Sequence, residues 1–129
     1  MSENNFTVLV AEDDEINFYL IEMWMQNLCT IIHAADGIKA VEKFKVHPEI
    51  DIIIMDIRMP YMNGIDATKE IRQLNKSIPI IAYTAYVMND EVDLMQDAGC
   101  NEIMTKPSKK EDFSELVQKY KKIRGLDIS

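Results

Sequence analysis

The chain has 129 residues, of which 47% are hydrophobic, with only four Gly and four Pro. A chain of this size buries roughly two-thirds of its unfolded surface, so we expect one ordered domain over residues 1–129 rather than a linker-rich protein. The 22 acidic and 14 basic residues give a net charge of −8, which argues against direct nucleic-acid binding and favours basic partners or a bound cation.

Two features bear on the location of the protein. Cys29 and Cys100 are single thiols far apart in sequence, as is typical of small buried side chains in a reducing compartment. The N-terminal residues are polar, and no run approaches the roughly 18 apolar residues that a membrane helix needs. We therefore expect a soluble, cytoplasmic protein that does not insert into membranes.

Apolar runs and helical periodicities alternate along the chain. Strands are predicted at 6–11, 30–34, 51–55, 78–83 and 100–104. The third run is short and rich in β-branched residues, which is typical of a strand buried on both faces of a parallel sheet, and the polar start of the fifth places it near an edge. Helical spacing predicts five helices from five sets of apolar residues, the last of which forms a buried stripe: Ile16, Tyr19, Leu20, Met23 and Trp24; Ile38, Val41 and Phe44; Ile65, Ile71 and Leu74; Val92, Leu94, Met95 and Ala98; Phe113, Leu116, Val117, Tyr120 and Ile123. Five strands alternating with five helices predict a doubly wound parallel sheet with helices on both faces, an α/β/α sandwich.

Local signals place two of the helix starts. Asn89 is predicted to cap the fourth helix, and Gly99 to end it. Ser108 and Glu111 have the spacing of a capping box for the fifth helix.

Polar groups follow several of the strands. They are Glu12, Asp13 and Asp14 after the first strand, Asp56 after the third, Thr84 at the end of the fourth and Lys106 past the fifth. Because the carboxyl ends of parallel strands open at one edge of the sheet, we expect these groups to meet there. Clustered carboxylates repel one another and need a hard cation, and oxygen ligands with some remaining water suit Mg²⁺. Asp14 alone is explained equally well as a cap of the first helix.

The residue types suggest a role for each group at this edge. A charge that adjoins a buried strand should be paired or functional, so we interpret Asp56, with the loop at 60–64 after it, as a phosphate acceptor. Lys106 is a compact charge that suits one carboxylate or phosphate oxygen, and a cis bond to Pro107 would aim it inward. Thr84 offers a hydroxyl to a new oxygen.

At this point the chain resembles a known family, the receiver domain of two-component response regulators, over about residues 7–123. The similarity rests on VLVAEDDEIN, IIIMDIRMPYMNG, IIAYTAY and IMTKPS, and the first two are most similar to receivers of hybrid sensor kinases. The resemblance implies a flavodoxin-like five-stranded fold, Mg²⁺ as cofactor, and phosphoryl transfer to Asp56 from a histidine kinase or a histidine phosphotransfer protein. The further site residues that it implies are Glu12, Asp13 and the backbone carbonyl of Arg58 with Asp56 at the metal, Thr84 as the switch hydroxyl, and Lys106 as the phosphate contact.

The same resemblance implies a signalling switch rather than a dedicated enzyme. The chain would catalyse its own phosphorylation and slow dephosphorylation, and the added charge would draw in Thr84 and bias an existing equilibrium. An unidentified downstream protein would contact the fourth helix, fifth strand and fifth helix, with Met88, Met95 and Tyr120 as candidates. Core packing is the alternative for all three residues, and it is the better explanation for Tyr120.

One position departs from the family pattern. Many members have Tyr or Phe three residues before the lysine, and here that residue is Ile103. Tyr83 and Tyr86 flank Thr84 and are candidate substitutes, although packing or solvent exposure is the simpler explanation for both.

Three other functions fit parts of the pattern. An aspartate-nucleophile phosphatase would use the same cation, but it needs a second Asp where Arg58 stands. A flavodoxin-like electron carrier shares the layers, but residues 12–14 would repel a flavin phosphate. An interaction module with a vestigial site is the third, and the complete set of polar groups argues against it.

Overall fold

A computed structural model of the chain describes residues 5–85 and 87–126. Its strands are β1 (Thr7–Ala11), β2 (Thr30–Ala34), β3 (Ile52–Asp56), β4 (Ile80–Thr84) and β5 (Glu102–Thr105). Its helices are α1 (Glu15–Met25), α2 (Gly37–Val46), α3 (Gly64–Leu74), α4 (Asn89–Ala98) and α5 (Lys110–Arg124). The predicted alternation of five strands and five helices is confirmed, and β3 and β4 reach further than predicted, to Asp56 and Thr84.

All five strands are parallel and form one sheet in the order β2-β1-β3-β4-β5. The doubly wound fold and the edge position of β5 are therefore both confirmed. In this order β3 is the central strand, with β1 and β4 on either side. The residues that follow β1, end β3 and end β4 consequently lie side by side at one edge of the sheet.

Each face of the sheet has its own hydrophobic core. Leu9, Ile53 and Ile71 belong to one cluster, while Ile54 and Phe113 belong to the other. Because successive strand residues point to opposite faces, a strand covered on both sides must be apolar throughout, which explains the unbroken run in β3.

Helix α1 is confirmed, but the apolar residues that mark it in the sequence are not the ones that it buries. Four of these residues are exposed: Ile16 at 73%, Tyr19 at 63%, Met23 at 56% and Leu20 at 39%, and Trp24 is only partly buried. The helix packs instead through Phe18, Ile21 and Met25. Because α1 has apolar residues on several sides, helical spacing alone could not decide which side faces the sheet. Single members of the other apolar sets are exposed as well: Ile38, Leu74, Leu94 and Ile123.

Two predicted helix starts also differ. Asn89 is the first residue of α4, and the preceding Met88 makes no side-chain cap. At α5 the cap is shifted by one residue, since Asp112 accepts the Lys109 N–H at 2.8 Å, while the Ser108 hydroxyl donates to the Thr105 carbonyl. Within the residues described, no helix combines the length and the hydropathy needed to cross a membrane.

Candidate functional site

The polar residues predicted at the strand ends surround one open cleft of about 210 Å³. Its lining contains Glu12, Asp13, Asp14, Asn17, Asp56, Arg58, Thr84, Ala85 and Lys106. All six residues that the sequence nominated for a role, including Arg58, are among them. Residues up to 94 positions apart in the chain therefore meet at the carboxyl edge of the sheet.

Glu12, Asp13 and Asp56 form the acid cluster. One oxygen from each carboxylate lies within 4.8 Å of the other two. Glu12 and Asp56 are only 1% and 3% exposed, whereas Asp13 is open to solvent. Burial, together with the hydrogen bond and the negative charge of Asp56, raises the pKa of Glu12 above its ordinary value. Such a set of three crowded oxygen ligands fits a hard cation such as Mg²⁺.

Lys106 bridges two members of the acid cluster. Its Nζ donates to Glu12 Oε1 at 3.1 Å and to Asp56 Oδ2 at 3.2 Å. Burial alone would lower the pKa of Lys106, but the charges of Asp56 and Glu12 outweigh it and raise this pKa. The peptide bond to Pro107 is cis. The ammonium is thus held, fully charged, against the carboxylate that we interpret as the phosphate acceptor.

The loop after Asp56 is folded back closely on the strand. The Gly64 N–H donates to the Ile57 carbonyl at 2.9 Å, and a Cβ at position 64 would lie 2.2 Å from the Asp56 carbonyl oxygen. Only glycine fits so close an approach. Asn63 then caps α3 by accepting the Asp66 N–H. The Asn-Gly pair therefore packs the loop against Asp56 and leads the chain directly into α3.

Arg58 and Thr84 complete the cleft. The Arg58 N–H donates to Asp56 Oδ1 at 3.1 Å, while its guanidinium lies 3.3 Å from Glu91 on α4. Thr84 is buried at the end of β4, and its carbonyl accepts the Lys106 N–H at 2.9 Å. The role of the Arg58 carbonyl as a metal ligand stays a prediction.

Asp14 is explained by capping, since its carboxylate accepts the Asn17 N–H at 2.9 Å and so begins α1. Its own N–H donates to Glu12 Oε2 at 3.1 Å, which also orients the acid cluster. Capping, the explanation left open for Asp14, is therefore borne out by this geometry.

Sequence reasoning missed two supporting residues. His33 on β2 makes a 2.8 Å hydrogen bond through Nε2 with the Glu12 carbonyl and stacks on Phe18 at 3.7 Å. Glu91 on α4 pairs with Arg58, which lies in the loop after β3. No local pattern identifies either residue, because both contacts depend on how distant elements pack.

The structure describes Ile103, which stands where many family members have an aromatic residue, and one of its two candidate substitutes. Ile103 is half-buried on β5, and Tyr83 is buried, with its ring centroid 4.8 Å from Lys106 Nζ. Packing is thus the explanation that fits Tyr83, which also meets the Phe113 ring edge-on. Tyr86 lies outside the described residues.

The three residues named as candidate contacts for a downstream protein differ in exposure. Met88 is exposed, but Met95 and Tyr120 are buried in the two cores. Core packing is therefore the correct explanation for both Met95 and Tyr120, and of the three candidates only Met88 is open to a partner.

Similarity to known proteins places the chain in a family. The family model of the response regulator receiver domain matches residues 8–118. Transcription factor SKN7 of Saccharomyces cerevisiae is 32% identical over 92% of the chain, and hybrid signal transduction histidine kinase G of Dictyostelium discoideum is 35% identical over 92%. The chain spans only 19% and 4% of the lengths of these two relatives.

Solved structures agree with the sequence relatives. The receiver domain of sensor histidine kinase PA1611 from Pseudomonas aeruginosa, with magnesium coordinated in its active-site cleft, has a TM-score of 0.83 at 31% identity and covers 92% of this chain and 98% of its own. The receiver domain of Ssk1 from Saccharomyces cerevisiae, in complex with the histidine phosphotransfer protein Ypd1, gives a TM-score of 0.86 at 25% identity, with coverages of 95% and 92%.

The fold and the site thus define an α/β domain with an acid cluster and a lysine at the carboxyl ends of its strands. The chain belongs to the response regulator receiver domain family of two-component signalling systems. This is the family that the sequence motifs resemble.

Proposed function

We propose that this chain is a phosphorylation-switched receiver that accepts a phosphoryl group on Asp56. The observation that carries the proposal is the position of this carboxylate, buried at the end of the central strand, 3.2 Å from the Lys106 ammonium and within the acid cluster. Phosphoryl transfer needs little covalent help from a protein and depends on positioning and on neutralising charge. The surroundings of Asp56 provide both the positioning and the neutralising charge.

In this proposal each residue of the cleft has one task. An Asp56 oxygen bonds to phosphorus while the bond from phosphorus to the histidine nitrogen, or to the acyl oxygen of a small donor, breaks. The acid cluster and the Arg58 carbonyl would hold Mg²⁺, which supplies positive charge next to the phosphoryl oxygens when bound. Lys106 then contacts a phosphoryl oxygen, and the Thr84 hydroxyl moves towards another. Because the product is the modified chain itself, the protein is a switch rather than a dedicated enzyme.

The energy available from these contacts sets how far the switch can go. Moving an equilibrium from 1:99 to 99:1 takes about 5.5 kcal/mol. One charge-assisted hydrogen bond from Thr84 contributes about 1.5–3 kcal/mol. We therefore expect phosphorylation to shift the equilibrium partly and a downstream protein to complete the change.

The exposed stripe of α1 suits the donor. This stripe (Ile16, Tyr19, Leu20 and Met23) begins beside Asn17, which lines the cleft. A second cavity of about 330 Å³, with Leu20 and Lys106 in its lining, continues the surface. An apolar patch at the mouth of a phosphorylation site is where a histidine kinase or histidine phosphotransfer protein could bind while presenting its histidine. The hybrid kinase among the relatives and the Ssk1–Ypd1 complex support this type of partner.

We further propose one receiver domain over residues 1–129, located in the cytoplasm. The family model covers most of that range. Both cysteines are free, and burial raises the pKa of Cys29 to about 11, which suits inert thiols in a reducing compartment. The net charge of −8 favours a protein target over direct contact with nucleic acid.

Incubation with acetyl phosphate and Mg²⁺, followed by intact-mass measurement, tests the acceptor. We expect one added phosphoryl group on the wild type and none on Asp56→Asn. Asp51→Asn, just before the start of β3, is the matched control and should be modified like the wild type. An unmodified wild type, or a modified Asp56→Asn variant, would refute the assignment and favour the interaction module.

The donor surface is tested with a phosphorylated histidine phosphotransfer protein. Tyr19→Ala combined with Met23→Ala should slow transfer about tenfold, since a central apolar contact is worth more than about 1 kcal/mol. Loading from acetyl phosphate should not change. Val46→Ala, an equally exposed apolar residue on α2, is the control. Equal rates for all variants would place the donor elsewhere.

A further inference from the structure

Arg58 connects the cleft to a neighbouring cavity. This neighbouring cavity has a volume of about 570 Å³, and its lining combines apolar residues such as Met59, Ile65 and Leu94 with polar ones. Arg58 and Asp13 line both spaces, while Glu91 on α4 lines the neighbouring cavity and is absent from the described lining of the cleft. The side chain of Arg58 thus stands at the boundary between the phosphate acceptor and α4.

The two halves of Arg58 have different partners. Its backbone N–H holds Asp56 Oδ1 at 3.1 Å, so its Cα is fixed beside the acceptor. Its guanidinium Nη2 lies 3.3 Å from Glu91 Oε1, and both side chains are partly exposed, at 60% and 29%. A solvent-exposed ion pair of this kind is weak and readily exchanged. A phosphoryl group on Asp56 would carry nearly two negative charges and offer the guanidinium a stronger partner.

We propose that Glu91 is a positioning residue that sets the lifetime of the aspartyl phosphate through Arg58. While Glu91 holds the guanidinium over the neighbouring cavity, the mouth of the cleft stays open to water. When Glu91 releases it, the guanidinium pairs with the phosphoryl oxygens and covers that mouth. This inference rests on the proposed phosphorylation of Asp56 and concerns the removal of the group rather than its addition.

The step that Glu91 would influence is ordinary hydrolysis. A water oxygen bonds to phosphorus as the bond from phosphorus to the Asp56 oxygen breaks, and the electron pair of that bond returns to the carboxylate. The products are the Asp56 carboxylate and inorganic phosphate, and the proton from water goes to phosphate or solvent. A guanidinium that occupies the mouth of the cleft hinders the approach of that water, so the competition between Glu91 and phosphate for Arg58 controls the rate.

The experiment follows the decay of the phosphorylated chain after the phosphodonor is removed, with Mg²⁺ present. Glu91→Gln should lengthen the half-life by about twofold to fivefold, the range by which such an ion pair changes an equilibrium. Asp93→Asn removes the same charge two residues along α4 and should leave the half-life unchanged. Adding Glu91→Gln to an Arg58→Met background should have no effect, because the positioned group is then absent. A purely structural role for Glu91 would instead lower the thermal midpoint and persist in the Arg58→Met background.

The outcomes separate this inference from the function on which it rests. Normal loading with equal half-lives in wild type and Glu91→Gln would overturn the role of Glu91 and leave Asp56 as acceptor. A shorter half-life in Glu91→Gln, or an equal lengthening in Asp93→Asn, would overturn it as well. A wild type that cannot be phosphorylated would overturn both proposals.

Discussion

An aspartate lies at each side of β3, Asp51 just before the strand and Asp56 as its last residue, and the two differ in how their negative charge is matched. Asp51, just before the strand, accepts the Thr7 N–H at 2.8 Å with one oxygen and the Arg124 guanidinium at 2.7 Å with the other. Asp56, at the far end, shares the Lys106 ammonium with Glu12. Among the described residues, the acid cluster thus has three carboxylates around one ammonium.

This contrast shows what distinguishes a site from a structural contact. A carboxylate whose oxygens are matched by donors is satisfied and ties the fold together, as Asp51 ties β1 and α5 to β3. A cluster that keeps more negative charge than its neighbours can match is stable only if something else supplies positive charge. The acid at a strand end is therefore less informative than the balance of groups around it.

The largest difference between the two aspartates should appear when the cation beside each one is removed. Lys106→Met removes the ammonium beside the acceptor and should slow phosphorylation by acetyl phosphate on the order of 100-fold, since preorganised charge is the main aid to this transfer. Arg124→Met should leave the rate within about twofold, because its partner Asp51 has no part in the chemistry. Rates from intact-mass time courses measure both, and similar rates for the two variants would remove the distinction between the ends of the strand.

The same contrast explains which parts of the site could be predicted from sequence. Asp56, Thr84 and Lys106 were predictable because buried parallel strands are continuous apolar runs, and a polar residue at the end of such a run stands out. The parallel arrangement of the strands then brings their carboxyl ends to one edge of the sheet. His33 and Glu91 could not be predicted, because neither residue interrupts a pattern and each contact joins elements that are far apart in sequence.

The fold was predictable to a similar depth. The five strands and the parallel topology follow from apolar runs and their alternation with helices. The orientation of α1 does not, because this helix is apolar both on the side that packs through Phe18 and on the side that exposes Tyr19. A surface reserved for a partner has the same composition as a surface that faces the core, so periodicity alone cannot separate the two.

Mg²⁺ should affect the folding free energy through the acid cluster alone. Binding to the native state adds about 2.7 kcal/mol of stability at a concentration of 100 times Kd. Urea titrations of the wild type with Mg²⁺ and with a chelator measure this difference. Asp13→Asn should reduce it, because the substitution removes one carboxylate ligand, while Asp51→Asn should keep it. An equal response of both variants would mean that the ion binds outside the cluster.

Removing each aspartate of β3 should change stability in different directions when Mg²⁺ is absent. Asp51→Asn loses the ion pair with Arg124 and weakens the bond to the Thr7 N–H, so we expect a loss of about 1–2 kcal/mol. Asp56→Asn removes one of three mutually repelling charges, so its stability should equal or exceed that of the wild type. Denaturation midpoints at neutral pH provide the measurement. A large loss for Asp56→Asn would show that its pairing with Lys106 outweighs the repulsion.

The smallest effect concerns pH, and it depends on Glu12. Its pKa lies above the ordinary value of 4.5 because burial and Asp56 disfavour its charged form. Between those two pKa values the folded state binds the proton more tightly than the unfolded state, so this group makes the protein less stable as the pH rises through the window. In the presence of a chelator, the unfolding free energy of the wild type should therefore fall with rising pH in the window that begins near pH 4.5. The Glu12→Gln variant should not show this fall. Asp51→Gln, at the balanced end of the strand, should keep the fall. With Mg²⁺ present the fall should shrink, since the cation binds the charged carboxylate, and curves that stay parallel for wild type and Glu12→Gln would mean that Lys106 alone offsets the charge of the cluster.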